Sequence, residues 1–259
     1  MIAIDYQDIS KSFNGTDKAS VSHVSAQIEE GEFITILGSS GCGKTTLLKM
    51  TNRLIEPTSG KVVLFGEDIS MVEETVIRRR MGYVIQQVGL FPHMTVAENI
   101  AVVPNLLKWD KEKTSKRVEE LLQLVQLEPK EYKDRYPRQL SGGQQQRIGL
   151  ARALAVDPKI MLLDDPFGAI DAITRLSLQN ELLRIHEGTK KTFLLVTHDI
   201  NEAFKLGNRV MVMNEGKLLQ FDTPRNIVNH PADDFVGQLV NAAREQEDFW
   251  KGVEKCLSI

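Results

Sequence analysis

The chain is poor in cysteine, in aromatic residues and in long apolar runs. Cys42 and Cys256 are the two cysteines in 259 residues. One lies in a glycine-rich stretch and the other near the C-terminus, which makes neither a disulfide framework nor the spaced thiols of a zinc site. No apolar run approaches the roughly 18 to 20 residues that a bilayer-spanning helix needs; the longest candidates are short, such as Phe33 to Leu37 and Ile160 to Leu163. Any membrane role is therefore expected to come through a partner. There is no excess of positive charge either. A formal net charge of -3 gives no general attraction to phosphate backbones or anionic lipid, so nucleic acid is not an expected partner. Met1 to Tyr6 includes Asp5 and has no basic segment leading into an apolar one, so no secretory leader is expected and a cytoplasmic location is.

What is present is an ordinary globular balance, 42% hydrophobic and 26% charged, enough for one α/β domain. Short β-branched runs alternate with amphipathic stretches, which predicts a largely parallel sheet with helices on its faces. Strands are expected near Phe33 to Leu37, Lys61 to Phe65, Gly82 to Ile85, Ile160 to Leu163, Phe193 to Val196 and Arg209 to Met213. Ile2 to Ile9 and Val21 to Ile28 read as antiparallel strands around a turn at Asn14-Gly15. From about Gln87 to Pro137 the strand signal disappears, and Val118, Leu121, Leu122 and Val125 recur at helical spacing within Lys111 to Leu127. The charges of that stretch, among them Lys111, Lys116, Glu119 and Glu120, read as a solvated face. His23, His186 and His230 read as surface residues.

The first expected core strand runs directly into Gly38-Ser39-Ser40-Gly41-Cys42-Gly43-Lys44-Thr45, and Thr46 to Met50 continues as a helix. This is the strand, loop and helix context of a phosphate-binding P-loop. Its glycines let backbone N–H groups point inward at phosphate oxygens, and the following helix start favours negative charge. Lys44 would reach the β- and γ-phosphates and Thr45 would ligate Mg²⁺. Farther along, Ser141 is a good N-cap and Gly142 and Gly143, followed by Gln144, leave amides open to an anion at a second helix start. Ile160 to Leu163 then ends in Asp164, in the form of a Walker B strand whose carboxylate helps hold the Mg²⁺ shell. A last strand delivers Thr197 and His198 to the same edge.

Taken in order, these segments resemble the nucleotide-binding subunit of an ABC transporter over essentially the whole chain. The resemblance implies an ABC-type P-loop NTPase fold: a mostly parallel core sheet, an N-terminal antiparallel β subdomain, and a helical subdomain inserted at about 88–155. One ATPase domain would cover 1–240 and a short C-terminal tail 241–259. It further implies that Phe13 stacks on adenine, that Gln86 senses Mg²⁺ and the γ-phosphate, that Asp171 communicates across a dimer, and that His198 is the switch histidine. In that family the signature segment of one subunit closes on the triphosphate held by the P-loop of the other, so ATP and Mg²⁺ are the expected cofactors and a second copy is the expected partner.

One position departs from the family pattern. The residue after the Walker B aspartate is normally a glutamate, and here it is Asp165. A carboxylate shorter by one methylene still serves as the expected base for the attacking water, with modest turnover, since a shift on the order of 1 Å costs roughly a hundredfold.

Gln86 to Ile100 is similar to the segment that import motors present to a permease helix, with Phe91, Met94 and Val96 as candidate anchors. The wording of Asn52 to Gly60, Tyr83 to Gln87, Ala101 to Pro104 and Asp165 to Asp171 resembles the quaternary-amine uptake branch, whose substrates include glycine betaine, carnitine, choline and proline betaine. That implies integral permease subunits and, indirectly, an extracytoplasmic substrate-binding protein, with the motor on the cytoplasmic face of the membrane. Longer members of the branch carry paired regulatory domains after the motor; this chain is expected to lack them. An importer for another solute, an exporter motor, an ATPase acting on nucleic acid or the ribosome, and a motor that binds ATP without turnover are the alternatives.

Overall fold

A computed structural model describes residues 1–13, 18–86, 89–168 and 170–257, the stretch 246–257 by its backbone alone. The expected turn at Asn14-Gly15, Gln87 and Val88 of the permease-facing segment, Ala169 of the loop after the Walker B strand, and Ser258-Ile259 lie outside the described residues.

In chain order the elements are β1 (Ile2–Lys11), β2 (Val21–Glu29), β3 (Phe33–Gly38), α1 (Lys44–Thr51), β4 (Ser59–Leu64), β5 (Glu67–Asp68), α2 (Glu74–Arg79) and β6 (Met81–Val84). Then follow α3 (Val96–Leu106), α4 (Lys111–Leu124), α5 (Pro129–Tyr132), α6 (Gly142–Ala153), β7 (Ile160–Asp164), α7 (Ala172–Thr189), β8 (Thr192–Thr197) and α8 (Ile200–Leu206). The last elements are β9 (Arg209–Asn214), β10 (Lys217–Asp222), α9 (Pro224–Asn229) and α10 (Asp234–Leu257).

Two sheets result. A four-stranded sheet of order β2-β1-β4-β5 pairs antiparallel throughout. The core sheet has the order β10-β9-β3-β8-β7-β6, parallel except for β10. The expected strand at Lys61 to Phe65 forms as β4, but in the antiparallel sheet and not in the core sheet. Its pairing with β1 decides this, and single-strand hydropathy carries no record of a pairing partner.

The core strands read as unbroken apolar runs because both of their faces are covered. Side chains alternate across the sheet. Met161, Leu163, Phe193 and Leu195 therefore turn to the side of α3, α4, α6 and α7, while Leu162, Leu194, Ile34 and Ile36 turn to α1 and the antiparallel sheet. The inserted helices bury Val96, Ile100, Val118, Leu121, Leu122, Val125 and Ile148 in one continuous core with the sheet.

Two expectations about the periphery change. His186 is buried, with Nε2 2.8 Å from the Gly31 carbonyl oxygen and its ring edge-on to Phe33 and Phe193. It follows Ile185 on the face of α7 that meets the sheet, and burial pushes its pKa down. Residues 234–257 form a single helix, α10, which runs through position 240 and seals Val236 and Val240 against Leu37, Val210, Val212 and Ile227. Charges interleave with apolar residues there at helical spacing, which makes α10 an amphipathic helix that continues across the expected boundary at 240.

Candidate nucleotide site

The parallel strands β3, β7 and β8 all end at one edge, where Leu37 pairs with Thr197 and Asp164 with Val196. Ligands collect at such carboxyl ends in open α/β sheets. A cavity of about 630 Å³ opens there. It is lined by Gly38, Ser39, Ser40, Gly41, Lys44 and Thr45 of the loop, by Gln86, Asp164, Asp165 and His198, and by Val196, Thr197, Phe235 and Leu239. A larger hollow of about 890 Å³ lies over β1 and β2 at Asp5, Gln7 and Gln27, with Lys61 and Arg209 also lining it.

The loop turns because Gly43, the N-cap of α1, has φ 102. A Cβ there would fall 2.1 Å from the Ser20 carbonyl oxygen, so only glycine fits. The Lys44 ammonium is buried and donates to the carbonyl oxygens of Gly38 and Ser39 at 2.8 Å each. Cys42 is buried beside it, with Sγ 3.9 Å from Nζ. Thr46 does not line the cavity; its Oγ1 lies 3.0 Å from Ser20 Oγ.

Thr45 Oγ1 donates to Asp164 Oδ1 at 2.7 Å. The other carboxylate oxygen, Oδ2, accepts from the Tyr83 hydroxyl at 3.4 Å. Burial and the Asp164 charge push the Tyr83 pKa well up, so the phenol stays a donor. Tyr83 was not anticipated as a site residue. The periodicity of β6 placed it on a strand, but its neighbour across β7 is known only once the two strands pair.

Next to Asp164, Asp165 is held at φ 45 and its N–H donates to the Val196 carbonyl at 3.0 Å. A non-glycine residue in that region is strained by about 1 kcal/mol or more. Gln86 Nε2 donates to Asp165 Oδ2 at 3.4 Å, and His198 Nδ1 lies 3.5 Å from the same oxygen. Asp165 Oδ1 is buried with no hydrogen-bond partner among the described residues. The expected catalytic trio of Asp165, Gln86 and His198 is thus gathered around one carboxylate.

Behind the edge, Thr197 Oγ1 donates to Glu202 Oε2 at 2.6 Å, and Gln179 Nε2 donates to Oε1 at 3.2 Å. Burial raises the pKa of Glu202, which is 4% exposed. Sequence reasoning passed over Glu202, because a glutamate in the first turn of a helix ordinarily faces solvent.

The remaining expected residues lie elsewhere. Phe13 is 44% exposed past the end of β1, with Lys11 Nζ 5.3 Å from its ring centroid. Ser141 caps α6: its Oγ accepts from the Gln144 N–H at 3.3 Å while Gln144 Oε1 accepts from the Ser141 N–H at 3.0 Å. Asp171 caps α7, accepting from the Thr174 N–H at 3.0 Å, and that bond holds its pKa below the usual range. Ser141, Gly142, Gly143, Gln144, Asp171 and Phe13 do not line the cavity that holds Lys44. Within one chain the expected site is incomplete.

Of the candidate permease anchors, Val96 is fully buried beneath α3 and is core, while Phe91 is 40% exposed. Val96 opens a helix capped by Thr95, with its N–H bonded to the Arg135 carbonyl, so its side chain turns inward. Phe91 borders a groove of about 480 Å³ with Arg78, Arg79, Tyr83, Leu106 and Arg152.

Comparison with known proteins agrees with this fold. The choline transport ATP-binding protein OpuBA of Bacillus subtilis is 50% identical over 238 residues, 92% of this chain and 62% of that protein. The glycine betaine uptake system ATP-binding protein YehX of Escherichia coli is 48% identical over 91% of this chain and 75% of its own length. The chain spans less than two thirds of the length of OpuBA and of the Bacillus subtilis glycine betaine/carnitine/choline transport ATP-binding protein OpuCA. Among solved structures, a dimeric bacterial ABC transporter cassette superposes with TM-score 0.76 at 35% identity, over 85% of this chain and 98% of that one. A dimeric post-hydrolysis cassette bound to ADP and Pi superposes with TM-score 0.75 at 34% identity and the same coverage. The family model described as ABC transporter matches residues 21–168, and with these relatives it establishes that the chain belongs to the ABC transporter family.

Proposed function

We propose that the chain is the ATP-binding and ATP-hydrolysing motor of an importer, two copies of which close on two ATP molecules. The observation that carries this is the convergence of Lys44, Thr45, Asp164, Asp165, Gln86 and His198 on one cavity. Lys44 exchanges its two loop carbonyls for the β- and γ-phosphates as ATP enters. Asp165, whose side chain borders the cavity beside the loop, receives the proton of the attacking water. Gln86 and His198 hold Oδ2 and so fix the direction in which Oδ1 points.

The oxygens of Thr45 and Asp164 suit Mg²⁺, which takes hard ligands and keeps several positions for water and phosphate. Among the described residues no group of three His, Cys, Asp or Glu is able to hold a metal by itself, consistent with an ion that arrives with the nucleotide. Held by Thr45 and Asp164, Mg²⁺ would neutralise charge developing on the β- and γ-phosphate oxygens.

Ser141, Gly142, Gly143 and Gln144 form a second phosphate-directed helix start that its own chain leaves away from Lys44. A twin copy brings them together: Ser141 of one with Lys44 of the other, and Asp171 beside the junction. Phe13 supplies an exposed ring for adenine. Phe91 and the arginine-rimmed groove beside α3 accept an apolar helix of a membrane permease. No helix among the described residues is long and apolar enough to cross a membrane. The motor acts from the cytoplasmic face through the permease contact. The solute is a quaternary ammonium osmoprotectant, a reading supported by the names of OpuBA, OpuCA and YehX as choline and glycine betaine transport proteins. Sulfate/thiosulfate import proteins are more distant, at 44% identity.

Reconstitution with its permease tests this. Phosphate release should require Mg²⁺ and fall at least about a hundredfold in Asp165→Asn, and labelled choline or glycine betaine should accumulate only with ATP. Retention of full turnover in Asp165→Asn would overturn the catalytic assignment, and uptake of neither amine would overturn the solute.

A further inference from the structure

The phosphate cavity has an apolar wall for which a triphosphate has no use. Phe235 and Leu239, one helical turn apart on α10, line it together with Ser39, Ser40 and His198. Both are half-buried and rest on the core of Leu37, Val210, Val212 and Ile227. Val196, the remaining large apolar lining residue, is 3% exposed and belongs to the sheet.

A matching feature stands at the start of α7. Ile173 is 85% exposed and Leu176 54% exposed. They are three residues apart, hence on one helix face, directly after Asp171. This helix start is locked to the capped start of α6. A Cβ on Gly143 would lie 2.3 Å from Thr174 Cγ2, and Arg147 Nη2 donates to Ser177 Oγ at 2.9 Å. The two helix starts therefore travel as one body.

We propose that Ile173 and Leu176 of one copy pack on Phe235 and Leu239 of the other when two copies close on ATP. The proposal rests on the head-to-tail reading given above and adds a contact to it. If Ser141 of one copy meets the triphosphate on Lys44 of its twin, the attached α7 start arrives at the same cavity. The apolar surface awaiting it there is α10. Twofold symmetry makes the contact twice, so ATP-driven closure presses on both C-terminal helices. Whatever moves α10 then biases closure, and closure in turn fixes α10.

A charge swap tests the contact, read by sedimentation of the chain with Mg²⁺ and ATP in an Asp165→Asn background that slows turnover. Ile173→Glu alone and Leu239→Arg alone should each weaken ATP-dependent pairing by at least about tenfold, since each change acts at both symmetric contacts. Combined in one chain they set a glutamate of each copy against an arginine of the other, and pairing should return to within about threefold of the parent. Equal unfolding midpoints for the single variants exclude misfolding as the cause. Unchanged pairing in the single variants, or a double variant as weak as the singles together, overturns the contact while leaving the dimer standing. A parent chain that stays monomeric at saturating ATP overturns the head-to-tail reading itself, before any swap is made.

Discussion

Gly168 lies under the carboxylate of Asp165: a Cβ added at position 168 would fall 2.8 Å from Asp165 Oδ2 and 3.1 Å from its Cγ. The same oxygen faces Gln86 and His198 at 3.4 and 3.5 Å, so the side chain has little room to retreat. Gly168→Ala is expected to lower ATP turnover by at least about tenfold through a displacement of under 1 Å, with nucleotide affinity retained. Asp165→Glu is expected to raise turnover severalfold by restoring the family's longer reach. Phosphate release measured for both variants checks this, and a rate for Asp165→Glu equal to or below wild type shows that reach does not limit the reaction.

Lys44 is held by two carbonyl oxygens at 2.8 Å, and nothing in the described loop replaces its charge. Lys44→Ala should weaken ATP binding by at least about tenfold, the loss expected for a charge-assisted hydrogen bond of roughly 2 kcal/mol. Titration with a fluorescent ATP analogue measures it. Unaltered affinity would remove the loop from the proposed mechanism.

Burial raises the pKa of Glu202 above its ordinary value of 4.5. The folded chain therefore keeps that proton to a higher pH than the unfolded chain does. The stability contributed by this group is complete below about 4.5 and is lost as pH rises through the raised folded pKa. Glu202→Gln has no such dependence. The stability of wild type minus that of the variant should fall as pH increases across this window, and denaturant unfolding at a series of pH values reads the difference. A gap that stays constant or widens with pH would contradict it.

Val96 and Phe91 separate core from surface in a segment that looks uniform as sequence. Val96 is 0% exposed and Phe91 40% exposed. Val96→Ala should cost about 2 kcal/mol through two lost methyls and the cavity left behind. Phe91→Ala should cost under about 1 kcal/mol of stability yet impair recovery of the permease complex. Urea unfolding and co-purification give the two readouts.

Much of the architecture is written locally. The run Phe33 to Leu37, the glycines that follow and the apolar strand ending at Asp164 each impose their structure through backbone freedom and periodicity over a few residues. Capping of α6 by Ser141 and Gln144 is likewise a four-residue property. For this reason the loop, its helix and most strands were legible, as were the chemical types gathered around them. The assignment of β4 to the antiparallel sheet was not, because hydropathy alone is silent about which strand lies alongside.

Sequence alone determined that a phosphate loop, a carboxylate pair and a second capped helix start exist in this chain, since each is a short-range pattern. Tertiary structure decided which of them meet. It set Tyr83 against Asp164, buried His186 and Glu202, kept Ser141 away from Lys44, and turned Phe235 and Leu239 into a wall of the cavity. Those outcomes depend on pairings between residues tens to hundreds of positions apart, and such contacts are fixed by packing of whole elements, which no local window of residues records.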